Sequence, residues 1–434
     1  MVGYQTKLLP GIVMSQFFRK RFTPDEVFTP RSPSVNQEMY VKRTDLEKSL
    51  INALRGSKNI IVSGESGSGK TWLYKKVFES EEITYESINL SNASLKGSLD
   101  AAFKDKNDRL GGRSVVEVTR TGASRFTPSG VGLEKSGSER SAIGQKGPFE
   151  TLLSHIRLKA GRKGAAILVY ENFEQIVDNE SIIKSISDTI ILLDDDDLSL
   201  YKVKLCLVGV PTDIKQYLSK ASRNITTIAN RIVEIPEVAR LSAEEATSLM
   251  RKGFEEKLKY KFDCDRNAFY QQACWKSDRI AQHVHEYSLS VAHAASENGG
   301  AINEDIISKA ETEWLSQTLS ADYAAIESRM NARDTKAGRR NQILYSLGQC
   351  DTENFKYTDI EKIVRTEFSK STKDVGLNIA GNLTELSDGD RPIIRRTPKG
   401  DAYRFTSPKY RMCLRTMLKK TTDERVEKIS QIDL

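Results

Sequence analysis

Apolar runs separated by polar and glycine-rich turns mark the first half of the chain. A β-branched run at residues 59–63 precedes a glycine-rich loop, and residues 70–79 have a helix-forming composition. Four more apolar runs predict strands, with helical patterns between most of them, at residues 83–88, 165–170, 204–209 and 232–235. Strands that alternate with helices predict an α/β fold in which a parallel sheet carries helices on both faces.

This pattern breaks between residues 104 and 146. Seven glycines, many serines and few large apolar side chains cannot cover a core, so we expect a long mobile insertion. The segment is cationic, with nine Lys or Arg against five Asp or Glu, and its arginines include Arg109, Arg113, Arg120, Arg125 and Arg140. A solvated loop and a loop that binds nucleic acid or a protein partner both fit this composition.

Helical periodicity dominates the second half of the chain. Ser242 and Glu245 form a capping-box pattern that predicts a helix start, and a helical lid follows to about residue 333. Beyond it the sequence predicts three helices and a β-hairpin, the parts of a winged helix, at residues 341–347, 358–368, 375–386, 392–396 and 402–405. The predicted division is an N-terminal extension at 1–38, an α/β core at 39–238, the lid at 239–333, the winged helix at 334–420 and a loose polar tail at 421–434.

Composition narrows the class of protein only slightly. No apolar run approaches the ~20 residues of a membrane span, so we expect no membrane crossing. The five cysteines are scattered and form no C-x-x-C pair, which is typical of reduced thiols in a cytoplasmic protein. A net charge of +7 from 66 cations and 59 anions is mild, so it permits a nucleic-acid partner without arguing for one.

The glycine-rich loop carries the most specific signal in the sequence. It matches G-x-x-x-x-G-K-[ST] between a strand and a helix, the context of a phosphate-binding P-loop. Its predicted nucleotide-binding residues are Gly64, Glu65, Ser66, Gly67, Ser68, Gly69, Lys70 and Thr71. We expect Lys70 to reach the β- and γ-phosphates of ATP and the Thr71 hydroxyl to ligate Mg²⁺.

A P-loop also needs carboxylates at the end of a neighbouring strand. The run at 165–170 ends in Tyr170, Glu171 and Asn172, which allows two registers. In the first, Glu171 holds Mg²⁺ and Asn172 stands at the position of the catalytic base, where an amide cannot accept a proton. In the second, Tyr170 takes the metal position and Glu171 is the base. We prefer the first register because it keeps a carboxylate near the ion, although the acidic pair is incomplete in both.

Three further polar residues are candidates for sensing the nucleotide. Thr212 follows the fourth strand, where a side chain can contact the γ-phosphate. Arg231 precedes the fifth strand and is either a surface arginine or one that completes a neighbouring subunit's site. Arg279 lies near a helix start in the lid and is a candidate sensor of bound triphosphate. The lid histidines, His283 and His285, lack partners at zinc spacing and favour polar contacts over metal binding.

Together these motifs resemble the AAA+ ATPases of the Orc/Cdc6-like branch, with prokaryotic members and the related STAND-type switch ATPases closest in layout. The resemblance extends from about Met39. Tyr40 to Arg43 resemble the family's entry motif, which lies beside the base of the nucleotide. It implies a parallel-sheet P-loop NTPase core with a helical lid and a C-terminal winged helix, ATP-dependent assembly, and the roles given to Lys70, Thr71, Glu171 and Arg231. Asn172 departs from the family's acidic residue, which predicts slow turnover.

Two functions compete on this basis. One is an ATP-controlled switch that drives self-association or engagement of a protein partner while hydrolysis stays slow. The other is an initiator or loader that holds duplex DNA with its winged helix. The helix at 371–386 offers Lys373, Asn378 and Asn382 to DNA but is a poor phosphate surface because it also carries Asp374 and Glu385. The hairpin is better, with Arg395, Arg396, Lys399 and Arg404. A small-molecule kinase would need an acceptor pocket and a base, and the sequence indicates neither.

Overall fold

The computed structural model describes residues 22–111, 146–209, 214, 218, 225–331, 338–397 and 400–429. The chain divides into two compact units. The sheet unit comprises the described residues within 32–242 and 280–282, and the helical unit comprises the described residues within 22–31, 243–279 and 283–429. Each unit has its own core. Among the described helices, none is both long and apolar enough to cross a membrane.

The described helices, in chain order, are α1 (Pro24–Val27), α2 (Thr44–Arg55), α3 (Lys70–Ser80), α4 (Leu90–Lys96), α5 (Leu99–Arg109), α6 (Pro148–Ala160), α7 (Glu180–Leu192), α8 (Asp196–Ser199), α9 (Ile225–Asn230), α10 (Ala243–Arg251), α11 (Arg266–Lys276), α12 (Ala281–Glu297), α13 (Glu304–Gln317), α14 (Ser320–Arg329), α15 (Arg339–Gln349), α16 (Tyr357–Glu367), α17 (Ile379–Ser387) and α18 (Pro408–Met417). The strands are β1 (Asn59–Ser63), β2 (Thr84–Asn89), β3 (Ala166–Glu171), β4 (Val203–Gly209), β5 (Ile232–Glu234), β6 (Lys261–Phe262), β7 (Ala301–Ile302), β8 (Ile394–Arg396), β9 (Tyr403–Phe405), β10 (Leu418–Lys420) and β11 (Val426–Lys428).

A five-stranded parallel sheet forms the centre of the sheet unit, in the order β2-β3-β4-β1-β5. Strand β4 therefore lies between β1 and β3, with Ile60 beside Cys206 and Val169 beside Cys206 on its other side. The β-branched and apolar residues of β1 are buried on both faces, as the sequence predicted for a central parallel strand. Because all five strands run the same way, the segments that follow β1 and β3 meet at one edge of the sheet.

Helices cover both faces of this sheet. On one face Leu50 of α2 and Leu73 and Val77 of α3 pack against β1 and β4. On the other face the core includes Phe103 of α5, Leu152 of α6 and Ile186 of α7, and all are fully enclosed. These two layers confirm the α/β prediction and place the start of α3 at the carboxyl edge of the sheet.

The helical unit has a single core in which the predicted lid and the C-terminal helices are joined. Helix α18 packs against α11, α13, α14 and α15. An aromatic cluster fills the lid part and consists of Phe254, Phe262, Phe269, Tyr270, Tyr287 and Trp314. Residues 22–31 of the predicted extension belong to this unit, because Phe28 is buried 4.9 Å from the Phe254 ring.

Two sequence predictions need correction at their boundaries. Lys104 to Arg109 complete α5 and so do not belong to an irregular insertion, because Phe103 and Asn107 are buried and Lys106 pairs with Glu86. The rest of the predicted insertion, residues 112–145 with Arg113, Arg120, Arg125 and Arg140, lies outside the described residues. The third helix predicted at 375–386 starts only at Ile379, since Asn378 has a left-handed backbone with φ 46°.

The predicted loose tail needs correction too, because its described residues, 421–429, form regular structure. Strands β10 and β11 form an antiparallel hairpin, and the Ile429 N–H donates to Met417 O at 2.8 Å. At its turn the Glu424 carboxylate accepts the N–H groups of Lys370 and Ser371 at 3.0 and 2.7 Å. A tail rich in polar residues is held in this way by backbone and side-chain hydrogen bonds together with the buried Val426 side chain.

Candidate nucleotide site

The loop between β1 and α3 has the backbone that its glycines predict. Gly67 and Gly69 have φ angles of 78° and 99°, in the left-handed region that side chains disfavour. Gly69 is also the N-cap of α3, so the loop turns directly into the helix. The result is a short glycine-rich turn at the carboxyl edge of the sheet, followed at once by a helix.

The start of α3 fits an anionic group. No side chain caps it and its first turn has no acidic residue, so its N–H groups and helix dipole are not balanced locally. The Ser68 hydroxyl is buried and finds no hydrogen-bond partner within the described part of the chain. A buried hydroxyl beside uncapped N–H groups suits the oxygens of a phosphate.

Lys70 is the cation of the loop. Its Nζ donates to the carbonyl oxygens of Gly64 and Glu65 at 2.9 and 2.8 Å. Burial lowers the pKa of Lys70 to about 8, against the opposing effects of Glu174, Glu65 and Glu237. The ammonium is therefore poorly solvated by water and would be stabilised by phosphate oxygens.

Glu171 is the last residue of β3 and lies at the same edge of the sheet as the loop. The Tyr74 hydroxyl of α3 donates to Glu171 Oε1 at 2.8 Å. Asn172 follows with a left-handed backbone, φ 61°, and opens a short 3₁₀ turn at Phe173–Ile176. Tyr170, by contrast, is fully buried in the core with its hydroxyl 3.4 Å from Thr189 Oγ1. Of the two registers, this packing favours the one with Glu171 at the metal position.

Two arginines brace the loop from outside it. Arg43 donates through Nη1 to Ser68 O at 3.3 Å and through Nη2 to Ala239 O and Arg240 O at 2.7 and 2.9 Å. Arg240 in turn holds the Glu65 carboxylate with two contacts of 2.8 and 3.2 Å. Arg43 and the segment after β5 are thereby both tied to the P-loop.

Residues 280–282 also belong to the sheet unit. The Gln282 N–H donates to Gly67 O at 3.0 Å, and a side chain added at Gly67 would lie 3.0 Å from Gln282 Cβ. The first turn of α12 is therefore in direct contact with the P-loop. Arg279, the predicted sensor, precedes this segment in the chain, has a left-handed backbone of φ 55° and is assigned to the helical unit.

The structure places Arg231 away from the P-loop of its own chain. Asn59 at the start of β1 donates its N–H to Arg231 O at 2.9 Å, so Arg231 lies at the amino edge of the sheet. Its side chain pairs with Asp194 and donates to Thr227 O at 3.0 Å. Thr212 lies outside the described residues.

Sequence reasoning missed several residues of this site. Tyr74 contacts Glu171 across 97 positions of the chain and Arg240 contacts Glu65 across 175, and a local sequence pattern gives no sign of such contacts. Glu174 could have been found from the sequence, because it lies only three residues after Glu171, in the turn that follows β3. Its influence on Lys70 marks it as part of the surroundings of the P-loop.

The residues predicted to contact DNA lie on the hairpin formed by β8 and β9 and on α17. Arg395 and Arg404 are cross-strand neighbours in β8 and β9, and the Arg396 guanidinium lies 5.0 Å from the Tyr403 ring centre. On α17, Glu385 pairs with Arg340, and Asn382 accepts from Arg340 Nε at 3.4 Å. Polar groups of α17 are thus bonded within the helical unit. Lys399 falls outside the described residues.

The lid histidines make polar contacts. His285 accepts the Thr29 N–H, and His283 is bonded to Glu286.

No protein-family model matches the chain, and no curated protein matches it. Among solved structures, it is similar to a Walker-type ATPase of Pyrococcus abyssi, with 12% identity and a TM-score of 0.48 over 87% of this chain and 97% of that chain. It is also similar to Cdc6p of Pyrobaculum aerophilum, with 15% identity and a TM-score of 0.40 over 90% and 97% of the two chains. For the ORC1 protein of Aeropyrum pernix, solved in complex with DNA, the identity is 14% and the TM-score 0.40 over 90% and 96%.

Orc and Cdc6 proteins are thus among the solved structures to which this chain is similar. The parallel sheet and the glycine-rich loop at its carboxyl edge are those of a P-loop NTPase fold.

Proposed function

We propose that the protein is an ATP-binding switch of the AAA+ type, whose nucleotide controls self-association or engagement of a protein partner while hydrolysis is slow. One observation carries the proposal: the P-loop opens α3 with uncapped N–H groups, a buried Ser68 hydroxyl and the desolvated Lys70 ammonium. These are the groups that bind a nucleoside triphosphate. They come from one continuous segment, Gly64 to Thr71.

Thr71 and Glu171 are the residues that would hold Mg²⁺, the first through its hydroxyl and the second through a bound water. The ion supplies charge neutralisation of the β- and γ-phosphates. Asn172 orients an attacking water through its amide but cannot take its proton, so turnover is slow. Arg231, at the opposite edge of the sheet, acts on the nucleotide of a neighbouring copy. Thr212 and Arg279 report on the bound triphosphate.

Isothermal titration calorimetry with Mg²⁺ and ATP tests the binding step. Lys70→Ala removes the cation that bridges the phosphates and should weaken ATP binding by at least about tenfold. Lys75→Ala is a matched control, since Lys75 lies on the same helix and donates to Pro33 O at 2.8 Å, away from the loop. Unchanged affinity in Lys70→Ala would overturn the proposal.

Mass photometry with ATP, ADP and no nucleotide tests the switch. A larger assembly, or a captured partner, only with ATP is expected. The same mass distribution in all three states, together with no ATP-dependent partner, would leave a nucleotide-binding protein that is not a switch.

A second candidate function, contact with duplex DNA, is favoured by the arginine pair on β8 and β9. Arg395 and Arg404 are cross-strand partners on one face of the hairpin, whereas Arg396 is exposed on the other face, beside Tyr403. Two neighbouring arginines on one face suit a phosphate backbone. Fluorescence anisotropy of a labelled duplex against salt concentration tests it: replacing Arg395 and Arg404 by Ala should lower affinity and reduce the salt slope by about two. An unchanged slope would exclude the hairpin from DNA contact.

A further inference from the structure

A tyrosine stands beside the carboxylate proposed to hold the metal. Tyr74 lies on α3, three residues after Thr71 and four after Lys70, so the three share a short stretch of one rigid helix. Its hydroxyl donates to Glu171 Oε1 at 2.8 Å. Within the described residues, this is the hydrogen bond that the side-chain carboxylate of Glu171 makes. The helix that begins at the P-loop is thus joined directly to the end of β3.

Packing holds the tyrosine ring in place. Tyr74 is fully buried, with the Phe78 ring centre at 5.2 Å and the Tyr85 ring centre at 5.9 Å in an edge-on arrangement. Such pairs give the ring one well-defined orientation. A phenol hydroxyl is a hydrogen-bond donor at neutral pH, and here it faces the carboxylate of Glu171. The position of the hydroxyl therefore determines how the Glu171 carboxylate is turned.

We propose that Tyr74 is a positioning residue of the magnesium and nucleotide site, whose hydroxyl holds Glu171 by one carboxylate oxygen and leaves the other to bind the metal's water. This inference rests on the proposed function and deepens it. Outer partners that orient a metal-binding carboxylate contribute strongly to metal affinity without touching the metal. Since Tyr74 and Thr71 lie on the same helix, the arrangement also keeps the two proposed metal-binding residues at a fixed separation.

The test is Tyr74→Phe, which removes only the hydroxyl and keeps the ring. ATP affinity is measured by calorimetry across a Mg²⁺ series that includes a metal-free sample. The Mg²⁺ concentration for half of the affinity gain should rise roughly tenfold, within the range found when such outer partners are lost. Affinity for metal-free ATP should be unchanged, because the P-loop itself is untouched.

A matched control separates this effect from a loss of stability. Tyr287 donates to Glu311 at 2.7 Å in the helical unit, so Tyr287→Phe removes an equivalent buried hydroxyl. It should lower the melting temperature but leave the Mg²⁺ series unchanged. In a Glu171→Gln background, Tyr74→Phe should add little to the metal defect, because the two act as one unit.

A Tyr74→Phe variant with a normal Mg²⁺ series would overturn the inference and leave the hydroxyl a structural contact. The same holds if its effect adds fully to that of Glu171→Gln. Failure of the proposed function looks different: the wild-type protein itself would then bind no ATP in the presence of Mg²⁺.

Discussion

Asp278 and Arg415 form an ion pair from which water is almost fully excluded, with side-chain exposures of 4% and 1%. Arg415 Nη1 lies 3.1 Å from one oxygen of Asp278, and Arg411 Nη1 lies 3.0 Å from the other. The Arg415 guanidinium also stacks 4.9 Å from the centre of the Trp275 ring. One carboxylate thus balances two buried cations and joins the end of α11 to α18.

Asp278→Asn should therefore destabilise the helical unit by about 3–5 kcal/mol, since it removes the buried carboxylate that pairs with Arg411 and leaves Arg415 only its pair with the exposed Asp351. Asparagine tolerates the left-handed backbone of this position, φ 54°, so backbone strain does not confuse the result. Asp351→Asn is the control: Asp351 also pairs with Arg415 but is 76% exposed, so the change should cost at most about 1 kcal/mol.

Urea denaturation of a Trp72→Phe variant provides the measurement. Its remaining tryptophans, Trp275 and Trp314, both report on the helical unit. Equal stabilities for the Asp278 and Asp351 variants would contradict this account of the buried pair.

ATP binding should take up protons at alkaline pH. Burial lowers the pKa of Lys70 to about 8, and phosphate oxygens favour the charged ammonium, so the nucleotide raises this pKa again. Above about pH 8 the free protein has lost the proton that the complex retains, and affinity should fall by up to about tenfold per pH unit.

Calorimetry at about pH 8.5 in buffers of different ionisation enthalpy counts these protons, and an uptake of up to about one is expected. Lys70→Arg keeps its charge throughout this range and should abolish the uptake. Identical binding enthalpies of the wild type in all buffers would show that Lys70 does not titrate at this site.

In the unliganded protein the lowered pKa of Lys70 also makes the free energy of unfolding depend on pH. Stability should rise with pH from about 8 towards 10.5, because the unfolded chain then binds more protons.

Turnover should distinguish the roles of Glu171 and Asn172. If Asn172 is the missing base, Asn172→Glu should raise steady-state ATP hydrolysis in a Mg²⁺-dependent way, while Glu171→Gln should weaken the metal site and lower it. If Glu171 is instead the base, Glu171→Gln should trap bound ATP and Asn172→Glu should change little. A wild-type turnover in the ordinary enzyme range of roughly 1–10³ per second would exclude the slow switch.

If the cationic segment after α5 is more than a solvated loop, we expect it to bind nucleic acid. Replacing residues 113–140 by a short Gly-Ser linker leaves α5, which ends at Arg109, intact. Affinity for DNA or RNA should fall and its salt dependence should flatten, whereas ATP affinity, the control, should not change. Nucleic-acid binding with an unaltered salt slope would leave the segment a simple loop.

The sheet and its loop were predictable because each rests on a local pattern. Residues 59–63 are apolar and β-branched, and the glycines that follow are required by left-handed backbone angles at Gly67 and Gly69. Boundaries were harder. Lys104 to Arg109 are polar and look irregular, yet tertiary contacts of Phe103 and Asn107 continue the helix through them.

Contacts between distant parts of the chain were beyond such reasoning. A tyrosine in an apolar helix pattern predicts a core residue, and only the fold shows that the Tyr74 hydroxyl reaches Glu171. Likewise, the bracing of Ser68 and Glu65 by Arg43 and Arg240 depends on how the segment after β5 returns to the loop. Long-range polar pairs of this kind leave no periodic trace.

The position of Arg231 restricts the symmetry of any assembly in which it serves another copy. Arg231 lies at the amino edge of the sheet and the P-loop at the carboxyl edge, at the two ends of β1. A two-fold dimer can serve both nucleotide sites only if its interface extends over both edges of the sheet, because Arg231 of each copy must then reach the P-loop of the other. An interface confined to one edge of each copy joins unlike surfaces. Such a head-to-tail contact propagates into a closed ring, or into an open filament whose terminal subunits each lack one neighbour.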